Sequence, residues 1–367
     1  MPVAWSSHPD AATATGEVAG ALLEASGGDA VRFLWVTASA GYLAAFPGIV
    51  AGLRTVLRPD VAIGGTVRGI LGSGDRAVNG PVAGIVAGVF AVDSGGIATH
   101  RIEGPADGWP TAVAGTVRLA LGAVPPASLP ATGTECVIAS TSGPRGRAGL
   151  LALDDAVHAD GAVAVDFGPS TAARSVVAPA YVPLSPTLTA TAVRGPVLRR
   201  LADRDPVAVI SDALGLDQPP GPGFADRLLV GMLADTEVTS TTPAELRPLR
   251  VLAIDPASGA LTLAGDVPLG APLRILLRDP PSRHPALADG LGGSGRMAIL
   301  ASGPGASTSG PDDPVTIANA AGEPGSVVGA VHGSLSFGRD GRIFDGTHVV
   351  AGVVFGREDH QRPAPGP

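Results

Sequence analysis

"VAIGGTVRGILGSGDRAVNG", residues 61–80, sets six glycines, two arginines and one aspartate directly after a short apolar run. Its reading decides the fold. If the glycines open a helix, "GSGDRA" (72–77) matches the relaxed dinucleotide fingerprint, with Asp93 about 20 positions on as the ribose acid. That fingerprint works through the helix N-terminus that holds the pyrophosphate. Here "VNGP" (78–81) follows, and Asn-Gly-Pro stops a helix before it is established. "IGGTVRG" therefore reads as the end of a strand, whose glycines let another backbone or a ligand come close.

Working outward, the flanks alternate between helix and strand. "DAATATGEVAGALLEA" (10–25) opens on a capping Asp and carries Val18, Leu22 and Leu23 at helical spacing. "VRFLWVTAS" (31–39) is rich in β-branched and aromatic residues and reads as a buried strand. "AFPGIVAGLRTVLRP" (45–59) has helical periodicity between two prolines, and "PVAGIVAGVFAVD" (81–93) reads as a strand returning through the core. Residues 100 to 160 are weakly periodic. "GAVAVDFGPS" and "ARSVVAPAYVPLSP" read as a strand pair, and "VRGPVLRRLADRDPVAVISDALGL" (193–216) as two helical pieces broken near Asp205-Pro206. Beyond "QPPGPG" (218–223), a linker or surface loop, the rest is short strands and tight turns. Near the end, "VVGAVHGSLSFGRDGR" echoes the opening stretch: Gly64 and Gly65 match Gly329 and Ala330, Arg68 matches His332, and Gly69 matches Gly333. The fold class expected is α/β (α+β), two related halves with extensive, mostly antiparallel sheets flanked by helices.

Composition narrows the function. The 367 residues are 45% hydrophobic and 16% charged, enough for a large core, and Gly 52 and Pro 35 punctuate short segments. The net charge is −8, there is no lysine, and no stretch gathers basic residues, so nucleic acid is not an expected partner. Cys136 is the single cysteine, which points to a reducing compartment. "MPVAWSSHPD" has no signal-peptide pattern and the apolar runs are short for a bilayer span. The expectation is a cytoplasmic protein, not at a membrane. His158 and Asp160 form a lone H-x-D, too common to imply a metal, and no cofactor motif is present. No nucleophile–base pair can be picked out by spacing, although such partners need not be close in sequence.

Three places could carry a ligand. "GASTSG" (305–310), with Ser307, sets hydroxyls beside backbone amides as an anion nest would, and Ser302 lies just ahead of it. Arg278 and Asp279, just past a strand, could clamp a zwitterion, or could merely begin a turn. The third is the echoed glycine strand itself, through Gly64, Gly65, Thr66, Arg68 and Gly69 in one copy and His332 and Gly333 in the other. Backbone amides and Arg68 would suit a carboxylate there, with Thr66 and Arg68 projecting into a pocket between the related halves.

"SSHPDAATATGEVAGALL", "FLWVTAS" and "VAIGGTVRGILGSGDRAVNGPVAGIVA" together resemble the N-terminal half of FIST-domain proteins. "TATAVRGPVLRRLADRDPVAVISDALG", "LLVGMLADTE" and "LRPLRVLAIDPASGALTLAGDVPLGAPLRILLRD" resemble the start of the FIST C-terminal domain. The resemblance covers most of the chain. It implies an N-terminal domain over 1–192, a C-terminal domain over 193–357 and a disordered tail at 358–367. It also implies a bacterial sensory module that binds an amino acid or similar small polar metabolite and signals through a separate partner. The chain departs from the family at "ASGPGASTSG", where a Cys and an Arg-Gly are common, and at "HGSLSFG", where a Gly-Glu-Ile-Gly-Pro-like turn is common. Two other functions stay open. One is a hydrolase or transferase with a Ser, Thr or His site. The other is a scaffold or homo-oligomer whose site has decayed.

Overall fold

The computed structural model describes residues 2–71, 77–79, 83–90, 96–103, 110–111, 113–122, 135–143, 147–233, 246–278, 297–302, 327–332, 335–339, 342–345 and 349–355. The protein is a mixed α+β structure of mostly antiparallel sheets with few helices. It forms two compact units: Met1–Ala178 with Ser282–Pro367, and Pro179–Pro281. The smaller unit is an insertion in the larger. The chain leaves one sheet at residue 178 and must come back to complete that same sheet, so the first unit is discontinuous.

In the larger unit one pattern recurs three times. The first copy runs β1 (Val3–Ser6), α1 (Ala11–Ser26), β2 (Phe33–Ser39), α2 (Phe46–Leu57), β3 (Val61–Val67), the hairpin β4 (Gly69–Leu71) and β5 (Ala77–Asn79), then β6 (Ile85–Phe90). The second runs β7 (Ile97–Ile102), β8 (Val117–Gly122), β9 (Glu135–Ser140), the hairpin β10 (Leu151–Leu153) and β11 (Ala156–His158), then β12 (Ala162–Phe167). The third opens on β13 (Ala173–Pro179). After the inserted unit it resumes with β21 (Met297–Ser302), β22 (Val327–Val331), the hairpin β23 (Leu335–Arg339) and β24 (Arg342–Asp345), then β25 (Val349–Phe355). The inserted strands are β14 (Tyr181–Pro183), β15 (Leu188–Arg194), β16 (Val197–Leu201), β17 (Leu228–Leu233), β18 (Leu246–Asp255), β19 (Ala260–Leu263) and β20 (Pro272–Arg278), with α3 (Pro206–Leu214) between β16 and β17.

Each copy builds a six-stranded sheet on one plan: β1-β6-β2-β3-β10-β11, β7-β12-β8-β9-β23-β24 and β13-β25-β21-β22-β4-β5. In each, the central pair is parallel (β2/β3, β8/β9, β21/β22) and the described flanking pairings are antiparallel. The hairpin that follows each parallel pair leaves its own sheet for another copy's. The first copy's hairpin completes the third sheet, the second's the first, and the third's the second. Arg68 is the bend at which the chain leaves one sheet for the next. The Gly64/Gly329 and Gly65/Ala330 echo thus belongs to a set of three. Gly65, Ala139 and Ala330 occupy one register position, paired with Leu151, Leu335 and Ile70 of the incoming hairpins.

The two faces of the first sheet are unlike. Leu34, Val36 and Ala38 of β2 turn outward and pack beneath α1 and α2, with Val18, Leu22, Phe46, Ile49 and Leu53. Asp10 caps α1 by accepting from the Thr13 amide at 2.8 Å, and Gly27 closes the helix at φ 62°. Residues Ala40–Leu57 are long and apolar enough to cross a membrane, with mean hydropathy 1.4, but α2 is a crossover helix whose apolar stripe is buried on the sheet. Phe33 turns the other way and meets Phe167 of the second sheet at 5.4 Å, while Phe90 and Phe167 meet Phe355 of the third at 5.0 and 4.9 Å. Three sheets therefore share an inner core, closed by rings at the end where the parallel pairs begin.

The inserted unit has the order β14-β20-β15-β16-β19-β18-β17, and pairing of β20 with β17 closes six of these strands into a barrel. Leu198, Leu201, Ile210, Leu228, Val251 and Ile275 are among its core residues. The first of the two helical pieces expected in 193–216 is instead the β15–β16 hairpin. Gly195 at φ 55° and Pro196 make its turn, and barrel closure uses Leu198 and Leu201 as buried strand residues. The second piece is α3, with Pro206 in its first turn. The expected pairing of residues 162–167 with 173–179 is also replaced: β12 lies between β7 and β8, and β13 belongs to the third sheet.

Candidate functional site

Parallel strands gather their C-terminal ends at one edge, where ligands of open α/β sheets bind. In the larger unit those ends lie opposite the aromatic cluster. Along the inner face of β2 the side chains run Phe33, Trp35, Thr37, Ser39, from the ring-packed end toward the strand ends. Thr37 pairs with Gly65 on β3. A Cβ at Gly65 would lie 2.9 Å from the Thr141 methyl, 3.0 Å from the Leu150 carbonyl oxygen and 3.4 Å from Leu121. The missing side chain at 65 is what lets Thr141 of the second copy reach the first sheet. From the third copy, His332 crosses to the second: its Nδ1 lies 2.7 Å from the Ser140 carbonyl oxygen. All three copies thus meet at residues 37, 65, 140–141 and 332.

This end is polar and buried. Thr37 is 0% exposed, His332 1%, Trp35 2% and Thr141 5%. The Thr37 and Thr141 hydroxyls and the Trp35 indole nitrogen have no hydrogen-bond partner, although buried polar groups in proteins are normally paired. Since a carbonyl oxygen only accepts, Nδ1 of His332 carries the proton and Nε2 is the acceptor nitrogen. Burial pushes the His332 imidazole down to about 4, against a smaller upward pull from the Ser140 carbonyl, so it is neutral near pH 7.

The expected site residues divide. Gly64 and Gly65 lie in β3, and a Cβ at Gly64 would sit 2.0 Å from the Val36 carbonyl oxygen, so strand packing alone requires glycine there. Thr66 is fully buried. Its hydroxyl accepts from the Leu150 amide at 2.8 Å, its amide donates to Leu150 and its carbonyl accepts from Ser142, so it ties down the β9–β10 connection. Arg68 is exposed at the bend, and Gly69 pairs with Val331 in the third sheet. Ser302 pairs with Val331 and Val350 at the end of β21. His332 belongs to the convergence. Arg278 closes β20 of the other unit, where burial and the nearby Arg250 lower its pKa. Asp279, Ser307 and Gly333 lie outside the described residues, as does the tail at 358–367. In the fingerprint, Ala77 begins a strand rather than a helix.

Sequence reasoning missed a second cluster, on the opposite face of the second sheet. Arg118 is fully buried and donates through Nε and Nη2 to the two Asp166 oxygens at 2.6 and 2.7 Å. His100 Nε2 lies 3.0 Å from Asp166 Oδ2, and Arg118 Nη2 also donates to the Pro110 carbonyl at 2.9 Å. Each Asp166 oxygen is thus engaged by a cation or ring, and the arrangement anchors the β7–β8 connection rather than presenting a free base. Beside it Cys136 is buried and its thiol is pushed up to about 12 by desolvation, which leaves it unreactive. Only alternation along β8 and β12 could have placed Arg118 and Asp166 on one face. No group of three metal-ligating side chains occurs among the described residues.

No family model matches the chain, and no curated protein matches it either.

Proposed function

We propose that the protein binds a small polar metabolite at the polar end of its three-sheet core, without transforming it. The observation that carries this reading is the set of buried, unpartnered hydrogen-bonding groups on Trp35, Thr37 and Thr141, together with the buried, neutral His332. Each such group costs about 1–3 kcal/mol when left unpaired, so their grouping favours a ligand that satisfies them. Binding rather than catalysis is favoured because His332 bonds to a backbone carbonyl, and its low pKa makes it a weak base. The proposal agrees with the sensory role that the FIST resemblance implies, with a separate partner for output and a cytoplasmic setting that suits the lone reduced cysteine.

A thermal-shift screen of the whole chain against amino acids, short carboxylates, nucleotides and sugars tests this. A ligand at about 100 times its Kd adds about 2.7 kcal/mol, a rise of several degrees. The shift disappears in Thr141→Val if the site is the one described. A shift that survives in both Thr141→Val and His332→Gln places binding elsewhere.

A further inference from the structure

We infer that the ligand of this site is an uncharged molecule of the amide or lactam class, bound once per chain. The inference rests on the binding reading above and specifies its chemistry. Burying an ion without a counter-charge is far costlier than burying a neutral polar group. The inner face offers Trp35, Thr37, Thr141 and His332 among apolar residues, with no carboxylate, guanidinium or ammonium among the described residues there. The charged groups are placed otherwise: Arg118 and Asp166 neutralise one another on the outer face, and Arg68 is exposed. An amino-acid zwitterion has no described counter-charge at this end of the core.

The donor and acceptor inventory narrows the class further. Trp35 Nε1 can only donate, so it selects a ligand acceptor such as a carbonyl oxygen. With Nδ1–H committed to Ser140, His332 Nε2 selects a ligand N–H or O–H. The Thr37 and Thr141 hydroxyls can serve either partner. A molecule with a carbonyl acceptor and an adjacent N–H, as in an amide or lactam, matches that set without any net charge. The three-fold strand plan does not multiply the site. The residues that follow Gly65, Ala139 and Ala330 by two are Val67, Thr141 and His332, so the copies meet with three different side chains and define a single, asymmetric position.

The test uses probe pairs that differ in charge: acetamide against acetate, 2-pyrrolidinone against proline, and succinimide against succinate. Affinities are measured by ligand-observed NMR and calorimetry on the full chain at pH 7.5. The expected result is binding of the neutral member at least tenfold tighter than its charged partner, at one site per chain. Trp35→Phe, which removes the donor and keeps an aromatic ring, should weaken the neutral probe at least fivefold. A charged member that binds as tightly or more tightly overturns this inference and leaves the binding reading standing. Three sites per chain also overturn it. If wild-type protein with native circular dichroism binds neither member of any pair, while the broader metabolite screen gives a His332-dependent shift, this inference alone fails. If that screen is also silent, the binding reading fails with it.

Discussion

The two ends of the three-sheet core are made from the same repeated strands and do opposite things. Where the parallel pairs begin, Phe33, Phe90, Phe167 and Phe355 pack as rings whose centroids lie 4.9 to 5.5 Å apart. Where the pairs end, the same three sheets converge on threonines, a histidine and a glycine, with hydroxyls left unpaired. The difference teaches that the fold places its stability at one end of the core and its unmet hydrogen bonds at the other. Function is expected where buried hydrogen bonding is left unmet.

The largest effect expected is at the aromatic end. Phe167→Ala removes a ring in contact with rings from both other sheets, and should cost about 3–5 kcal/mol in denaturant unfolding while leaving ligand affinity unchanged. A parallel loss of affinity would show that the two ends are coupled rather than separate.

At the polar end, His332 should make stability depend on pH. Its pKa is about 4 when folded and 6.5 ordinarily, so between these values the unfolded chain binds the extra proton. The contribution is full above about pH 6.5 and falls by about 3 kcal/mol as pH drops toward 4. His332→Asn, whose amide N–H stands where Nδ1–H meets the Ser140 carbonyl, should flatten that slope. Gly65→Ala comes next: the added methyl presses on Thr141 and the Leu150 carbonyl, so it should cost about 1–3 kcal/mol and weaken binding as well.

Much of the first copy was legible from periodicity. The capped helix at α1, the buried β2 and the proline-bounded α2 stand where their residues place them, and the glycine stretch is a strand end. The third copy was legible through its glycine echo. The second was not, because "ECVIASTSG" (135–143) has Ile138 and Ala139 where the first copy has Gly64 and Gly65. Without the glycines nothing local marks it as a repeat, and only strand pairing does. His332 was singled out for its neighbours in the echo, but Thr37, Trp35 and Thr141 were not. Their importance comes from facing one interior across three sheets, and hairpin exchange between copies leaves no local sequence signal. The bend at 68 exposes Arg68, and Thr66 is engaged by the β9–β10 connection, a contact that strand periodicity does not reveal.

The most direct test of a polar end kept for a ligand is the smallest in energy. The double variant Thr37→Val, Thr141→Val removes both unpaired hydroxyls while nearly conserving shape. Unfolding without ligand should show the variant equal to wild type or more stable by about 1 kcal/mol, with ligand binding lost. A variant less stable than wild type by about 2 kcal/mol or more would mean that the hydroxyls are satisfied within the protein, and would contradict the account.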